Sequence, residues 1–144
     1  MDRRNIFQSL IAVGAGIFAA PARGEDAAVP RVVYHLADLD KVAFVLGNIR
    51  NHISGLGGPG KVRIALVVHG PALKAFRSAT PNVQVKSDLG SIRGDGVELH
   101  ACRNTMDAQK ISLDDLLPGF VVAEQGAVVK VAELQAQGWA YLRP

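Results

Sequence analysis

The chain has one cysteine, Cys102, set in Gly96-Val97-Glu98-Leu99-His100-Ala101-Cys102-Arg103-Asn104-Thr105-Met106. The segment reads as a strand through Ala101, with a helix beginning just after it. Sulfur at such a junction meets backbone N–H groups and the positive end of a helix dipole, and both favour thiolate. Arg103 follows directly and can help. His100, two residues earlier, projects to the same side only if the strand runs on to Cys102. The chemistry these types suggest is nucleophilic: a thiolate that takes up a group and passes it on. A free cysteine is also commonly a small buried hydrophobe, and that packed reading stays open.

Other polar residues fall where strands should end. His35 closes the first expected strand, His69 the second, His100 and Cys102 the third, and Glu124 the fourth. In a parallel sheet, ligands bind beyond the carboxyl ends of strands, where loops and helix starts converge. Plainer readings stand beside this one. A strand-end histidine often only satisfies backbone carbonyls, and Glu124 fits an exposed carboxylate ahead of a helix. Three apparent motifs fail on context. Gly55 to Lys61 imitates a phosphate loop but lacks the following Ser or Thr and precedes a strand. Arg93-Gly94-Asp95 is turn chemistry. None of the four histidines sit at i, i+4 spacing, and one cysteine builds neither an internal disulfide nor a zinc site of several thiolates. No cofactor and no metal are expected.

The elements that must position these residues alternate like βαβ units around a mainly parallel sheet of about five strands. Expected strands are 31–36, 62–69 (a nearly continuous apolar run, as for a centre buried on both faces), 96–101, 120–123 and 139–142. Leu39, Val42, Leu46, Ile49, Ile53 and Leu56 trace a helix stripe, with Asp38 as cap and the glycines from Gly55 as stop. Shorter helices are expected over 70–76, near 87–93, from 102, over 112–117 with Ser112 and Asp115 as a capping pair, and over 127–137. Residues 78–86 are ambiguous: Val83 and Val85 alternate like a strand, yet Thr80-Pro81-Asn82 is turn chemistry.

The 144 residues are 49% hydrophobic and 20% charged, which fits one globular domain and excludes a disordered chain or a multidomain enzyme. Basic residues exceed acidic ones by three and are scattered, so nucleic acid is not an expected partner. Arg3 and Arg4 precede the apolar run Leu10 to Ala20, which meets Ala20-Pro21-Ala22, a small-x-small pattern. Residues 1–22 therefore read as a signal peptide, twin-arginine-like or Sec, followed by a mobile lead-in over 23–30. The apolar run falls short of a membrane span, so no stable span is expected after cleavage, and the expected location is the periplasm.

Val67-Val68-His69-Gly70-Pro71-Ala72-Leu73, the segment Gly96 to Met106, and Val128 to Pro144 ending Gln137-Gly138-Trp139-Ala140-Tyr141-Leu142-Arg143-Pro144 closely resemble the DsrE/DsrF-like family. The resemblance runs in order over nearly all of 31–144 and looks closest to an exported branch. It implies a flavodoxin-like three-layer α/β sandwich and a homo-oligomer, trimer or hexamer. It also implies a persulfide-carrying cysteine at the position of Cys102, served by a sulfur donor or acceptor protein. His100, Arg103, His69 and His35 are the candidate assistants. The competing expectation is a non-catalytic module that binds a small ligand or a protein, with Cys102 packed.

Overall fold

The structure is a computed structural model and describes residues 28–144. The expected signal peptide, and the lead-in up to residue 27, lie outside the described residues. Five strands, β1 (Arg31–Leu36), β2 (Arg63–Val68), β3 (Glu98–Cys102), β4 (Phe120–Ala123) and β5 (Ala140–Leu142), form one sheet. The order is β4-β3-β2-β1-β5, and every neighbouring pair is parallel.

That order dictates where the helices go. From β1 to β4 the chain steps across the sheet in one direction, and each right-handed crossover puts its helix on the same face. These are α1 (Val42–Gly55), α2 (Val83–Gly94) and α3 (Arg103–Gln109). The step from β4 to β5 runs the other way, so α4 (Ala127–Ala136) lies on the opposite face. Strand parity divides the core accordingly. Val32, Tyr34, Leu36, Ile64, Leu66, Val68, Leu99 and Ala101 pack with α1 and α2, where Leu46, Ile49 and Ile92 are fully buried. Val33, Ala65, Val67 and Cys102 pack beneath Ala127, Val131 and Leu134 of α4, with Trp139. Strand β2 is buried on both faces, in keeping with its unbroken apolar run.

Most element boundaries follow the sequence expectation, and the departures have local causes. The third strand continues to Cys102, which is also the N-cap residue of α3. Residues 83–94 form one helix longer than 87–93, because the Asn82 side chain accepts the N–H groups of Gln84 at 2.9 Å and Val85 at 3.1 Å. Val85 is then buried and Val83 is exposed, so the apparent alternation was never a strand face. Asp38 does not cap the first helix; a 3-10 turn, Leu39–Lys41, intervenes, and the Asp38 carboxylate pairs with Arg143 at 3.3 Å. The expected helix after Gly70 is a 3-10 segment, Gly70–Phe76. The Ser112–Asp115 capping box forms around a single turn, Leu113–Asp115.

Candidate functional site

Between β3 and β4 neighbouring strands send their connections to opposite faces, α3 to one and α4 to the other. The carboxyl ends of such a pair leave a crevice, the switch point at which open α/β sheets bind ligands. Cys102 sits in it. A cleft of about 400 Å³ opens there, lined by His69, Cys102, Asn104, Thr105, Gln109 and Gly126 among others. No Asp, Glu, Lys or Arg lines it.

Two helix starts converge on the sulfur. Ala127, the first residue of α4, donates its N–H to Sγ at 3.2 Å. The start of α3 makes no cap hydrogen bond to the Cys102 side chain, but the Asn104 and Thr105 N–H groups and the Thr105 hydroxyl, which accepts the Gly70 N–H at 3.0 Å, are near enough to favour the thiolate. Burial alone would raise the thiol pKa, since Cys102 is only 4% exposed. The donors outweigh burial, and the pKa lies below that of an ordinary thiol. Close approach of α4 requires Gly126. Its φ is +95°, and an added Cβ would lie 2.7 Å from Asn104 Nδ2 and 3.9 Å from Sγ.

The register brings all three candidate histidines to the face that carries Cys102. His35 is two residues beyond Val33, His69 two beyond Val67, and His100 two before Cys102, each on the side covered by α4. Their surroundings differ. His69 lines the cleft, and its Nε2 lies 2.5 Å from His35 Nε2. His35 Nδ1 lies 2.6 Å from the Tyr141 hydroxyl. His100 is buried one step back along β3, with Nε2 3.5 Å from Glu98 Oε2 and no hydrogen bond made. Burial is the main reason that all three imidazoles have lowered pKa values; Lys130 adds to it at His100, whereas Glu98 opposes it.

Arg103 faces away from the sulfur. Its guanidinium grips Glu124 through two hydrogen bonds, Nε to Oε2 at 2.9 Å and Nη2 to Oε1 at 3.0 Å, with Asp107 nearby. The groups that act on sulfur are backbone N–H donors and Thr105, together with the room made by Gly126. Sequence reasoning missed Thr105 and Gly126. A glycine directly before the α4 stripe was the available signal for the second, and nothing in local spacing pointed to the first. Among the described residues, no group of three His, Cys, Asp or Glu side chains is placed to hold a metal ion, and no helix is long and apolar enough to cross a membrane.

A three-layer parallel α/β domain with a single cysteine held between two helix starts defines the class. The chain belongs to the DsrE/DsrF-like family, whose model matches residues 34–144. It is similar to a solved protein of unknown function, MTH1491 from Methanobacterium thermoautotrophicum, at 32% identity and a TM-score of 0.70, over 80% of this chain and 99% of that one. It shares its fold with the ychN protein from E. coli (13% identity, TM-score 0.56, covering 79% of this chain and 99% of that one). The same holds for BT1422 from Bacteroides thetaiotaomicron (16% identity, TM-score 0.58, covering 79% and 95%). No curated protein matches.

Proposed function

We propose that this protein is an exported sulfur carrier that holds sulfane sulfur as a persulfide on Cys102. The observation that carries the reading is a sulfur that lines a cleft at the start of α3 and accepts the first N–H of α4. In the transfer, the Cys102 thiolate attacks the outer sulfur of a donor persulfide, R–S–SH. A bond forms between Sγ and that sulfur, the donor S–S bond breaks, and the donor leaves as thiolate, RS⁻. Discharge to an acceptor thiolate is the same exchange in reverse. In the persulfide the negative charge moves to the outer sulfur, one bond beyond Sγ, where the positive ends of the two helices still favour an anion. With no charged side chain lining the cleft, a sulfur presented on a protein loop or an uncharged small molecule fits better than a multiply charged inorganic ion.

Mass spectrometry after treatment with a sulfane donor is expected to find one added sulfur per chain, absent in Cys102→Ser. No adduct on the wild type would end the reading. The low exposure of Cys102 and its packing with Val33, Ala65 and Val67 favour one other reading, a non-catalytic binding module in which the thiol reacts only on unfolding. Periplasmic export through residues 1–22 is part of the proposal, and fractionation of cells expressing the full chain tests it. So is self-association as a trimer or hexamer, for which Phe44, Val121 and Val128 offer exposed apolar surface. Light scattering that shows only monomer at micromolar concentration would count against it.

A further inference from the structure

His35 and His69 form a second arrangement beside the sulfur. Their Nε2 atoms are 2.5 Å apart, the ring planes differ by 13°, and the centroids are 4.7 Å apart. That centroid distance is close to the Nε2 separation plus two ring radii, so the imidazoles meet tip to tip, in line, not face to face. Two nitrogens so placed share one proton: one ring donates and the other accepts. At the outer end, His35 Nδ1 meets the hydroxyl of Tyr141, a residue 39% exposed. At the inner end, His69 lines the Cys102 cleft, and its Nδ1 makes no hydrogen bond among the described residues.

We propose that Tyr141, His35 and His69 form a proton relay between solvent and the Cys102 cleft, in which His69 exchanges the proton at the reacting sulfur and His35 and Tyr141 are positioning residues. The purpose of the relay rests on the carrier reading; its geometry does not. In one tautomer, Tyr141 donates to His35 Nδ1, His35 donates from Nε2 to His69 Nε2, and His69 carries hydrogen on Nδ1. When a thiolate leaves the cleft, its lone pair takes that Nδ1 proton. His69 Nε2 then takes the proton of His35 Nε2, His35 Nδ1 takes the Tyr141 proton, and Tyr141 takes one from water, releasing hydroxide. All three residues end neutral, no electron is transferred, and the opposite tautomer is left with a lone pair on His69 Nδ1. That lone pair accepts a proton in the next half-reaction and resets the relay.

The charged groups facing the imidazoles are Asp38 and Arg143, themselves paired at 3.3 Å. Burial is the main reason that both histidines have lowered pKa values; Arg143 adds to it, Asp38 opposes it, and at His35 the neighbouring His69 adds as well. The pair is therefore neutral near neutral pH, the state with one bridging proton.

Two reagents separate proton delivery from mere folding. Iodoacetamide alkylates Cys102 and releases iodide, which takes no proton. Bis(2-hydroxyethyl) disulfide releases an alkyl thiolate, which takes one. In the full chain, His69→Gln and His35→Gln are expected to lower the ratio of disulfide to iodoacetamide rates by about tenfold or more. Tyr141→Phe should lower it less, and its pH profile should shift. A ratio that holds in all three variants, or two rates that fall together, would overturn the relay. Nitrogen-15 NMR supplies a reading free of thiol chemistry: a scalar coupling between the two Nε2 atoms is expected in the wild type and absent in His35→Gln. No coupling in the wild type would also overturn it. Neither reagent donates sulfur, so failure of sulfur uptake and failure of the relay are separate results.

Discussion

At the residue scale, the thiol at Cys102 is shaped by opposing effects. Burial alone favours the neutral thiol, whereas the Ala127 N–H and the donors at the start of α3 favour thiolate and prevail. The rate of iodoacetamide labelling should accordingly stay high at pH values where a free cysteine, with pKa about 8.5, is already mostly protonated. Raising the pH through that window should also stabilise the fold, because the unfolded thiol still binds a proton that the folded one has lost. Cys102→Ser removes that gain. A labelling profile centred on or above the free-cysteine value would contradict the donor geometry.

The placement of Cys102 at a strand-to-helix junction was legible in the sequence, because the alternating apolar Val97, Leu99 and Ala101 precede it and a polar helix start follows. The role of Arg103 was not: its charge adjoins the sulfur in sequence, yet Glu124, from the end of β4, holds it. Pairing across strands is set by tertiary register, which local spacing does not encode. His100 shows the same limit. It shares the face of Cys102, as the continued strand requires, but lies one step back beside Glu98.

At the scale of elements, the connection from β4 to α4 is the tightest constraint on the site. Gly126 at φ +95° lets the α4 N-terminus approach the sulfur, and an alanine there would clash with Asn104 Nδ2. Gly126→Ala is expected to lower stability by about 1–3 kcal/mol, read as a lower urea midpoint, and to change the labelling rate of Cys102. On the other face, Asp88 of α2 is buried and pairs with Arg50 of α1 at 2.9 Å, with Gln84 as a further donor at 2.9 Å. Asp88→Ala leaves Arg50 half exposed to water, so the expected loss is about 1–3 kcal/mol, short of that for a fully buried pair. A loss below ~0.5 kcal/mol would mean that apolar contacts alone join α1 to α2. The helix stripe and the apolar run of β2 announced these layers in the sequence. The start of α2 was obscured because its cap, Asn82, follows a proline in a segment that also alternates.

At the scale of the whole molecule, three buried or half-buried histidines have pKa values lowered first by burial. In the unfolded chain they would protonate near pH 6.5. A base whose folded pKa is lowered supports the fold above its unfolded pKa and loses that support as pH falls toward the folded value. Stability should therefore decline as pH drops below about 6.5, and His100→Gln should flatten part of the decline. Equal urea midpoints at pH 7.5 and 5.5 in the wild type would refute this.

The order β4-β3-β2-β1-β5 has a consequence for synthesis. Strand β1 emerges from the ribosome first among the described strands, and one of its neighbours, β5, emerges last. Until Ala140–Leu142 arrive, the outer edge of β1 offers unpaired N–H and C=O groups, the kind of edge that recruits foreign strands. The same three residues deliver Tyr141 to His35, so a nascent or C-terminally clipped chain has both an open edge and an incomplete histidine pair. Quality control that recognises bare strand edges would thereby also remove chains whose site is unfinished.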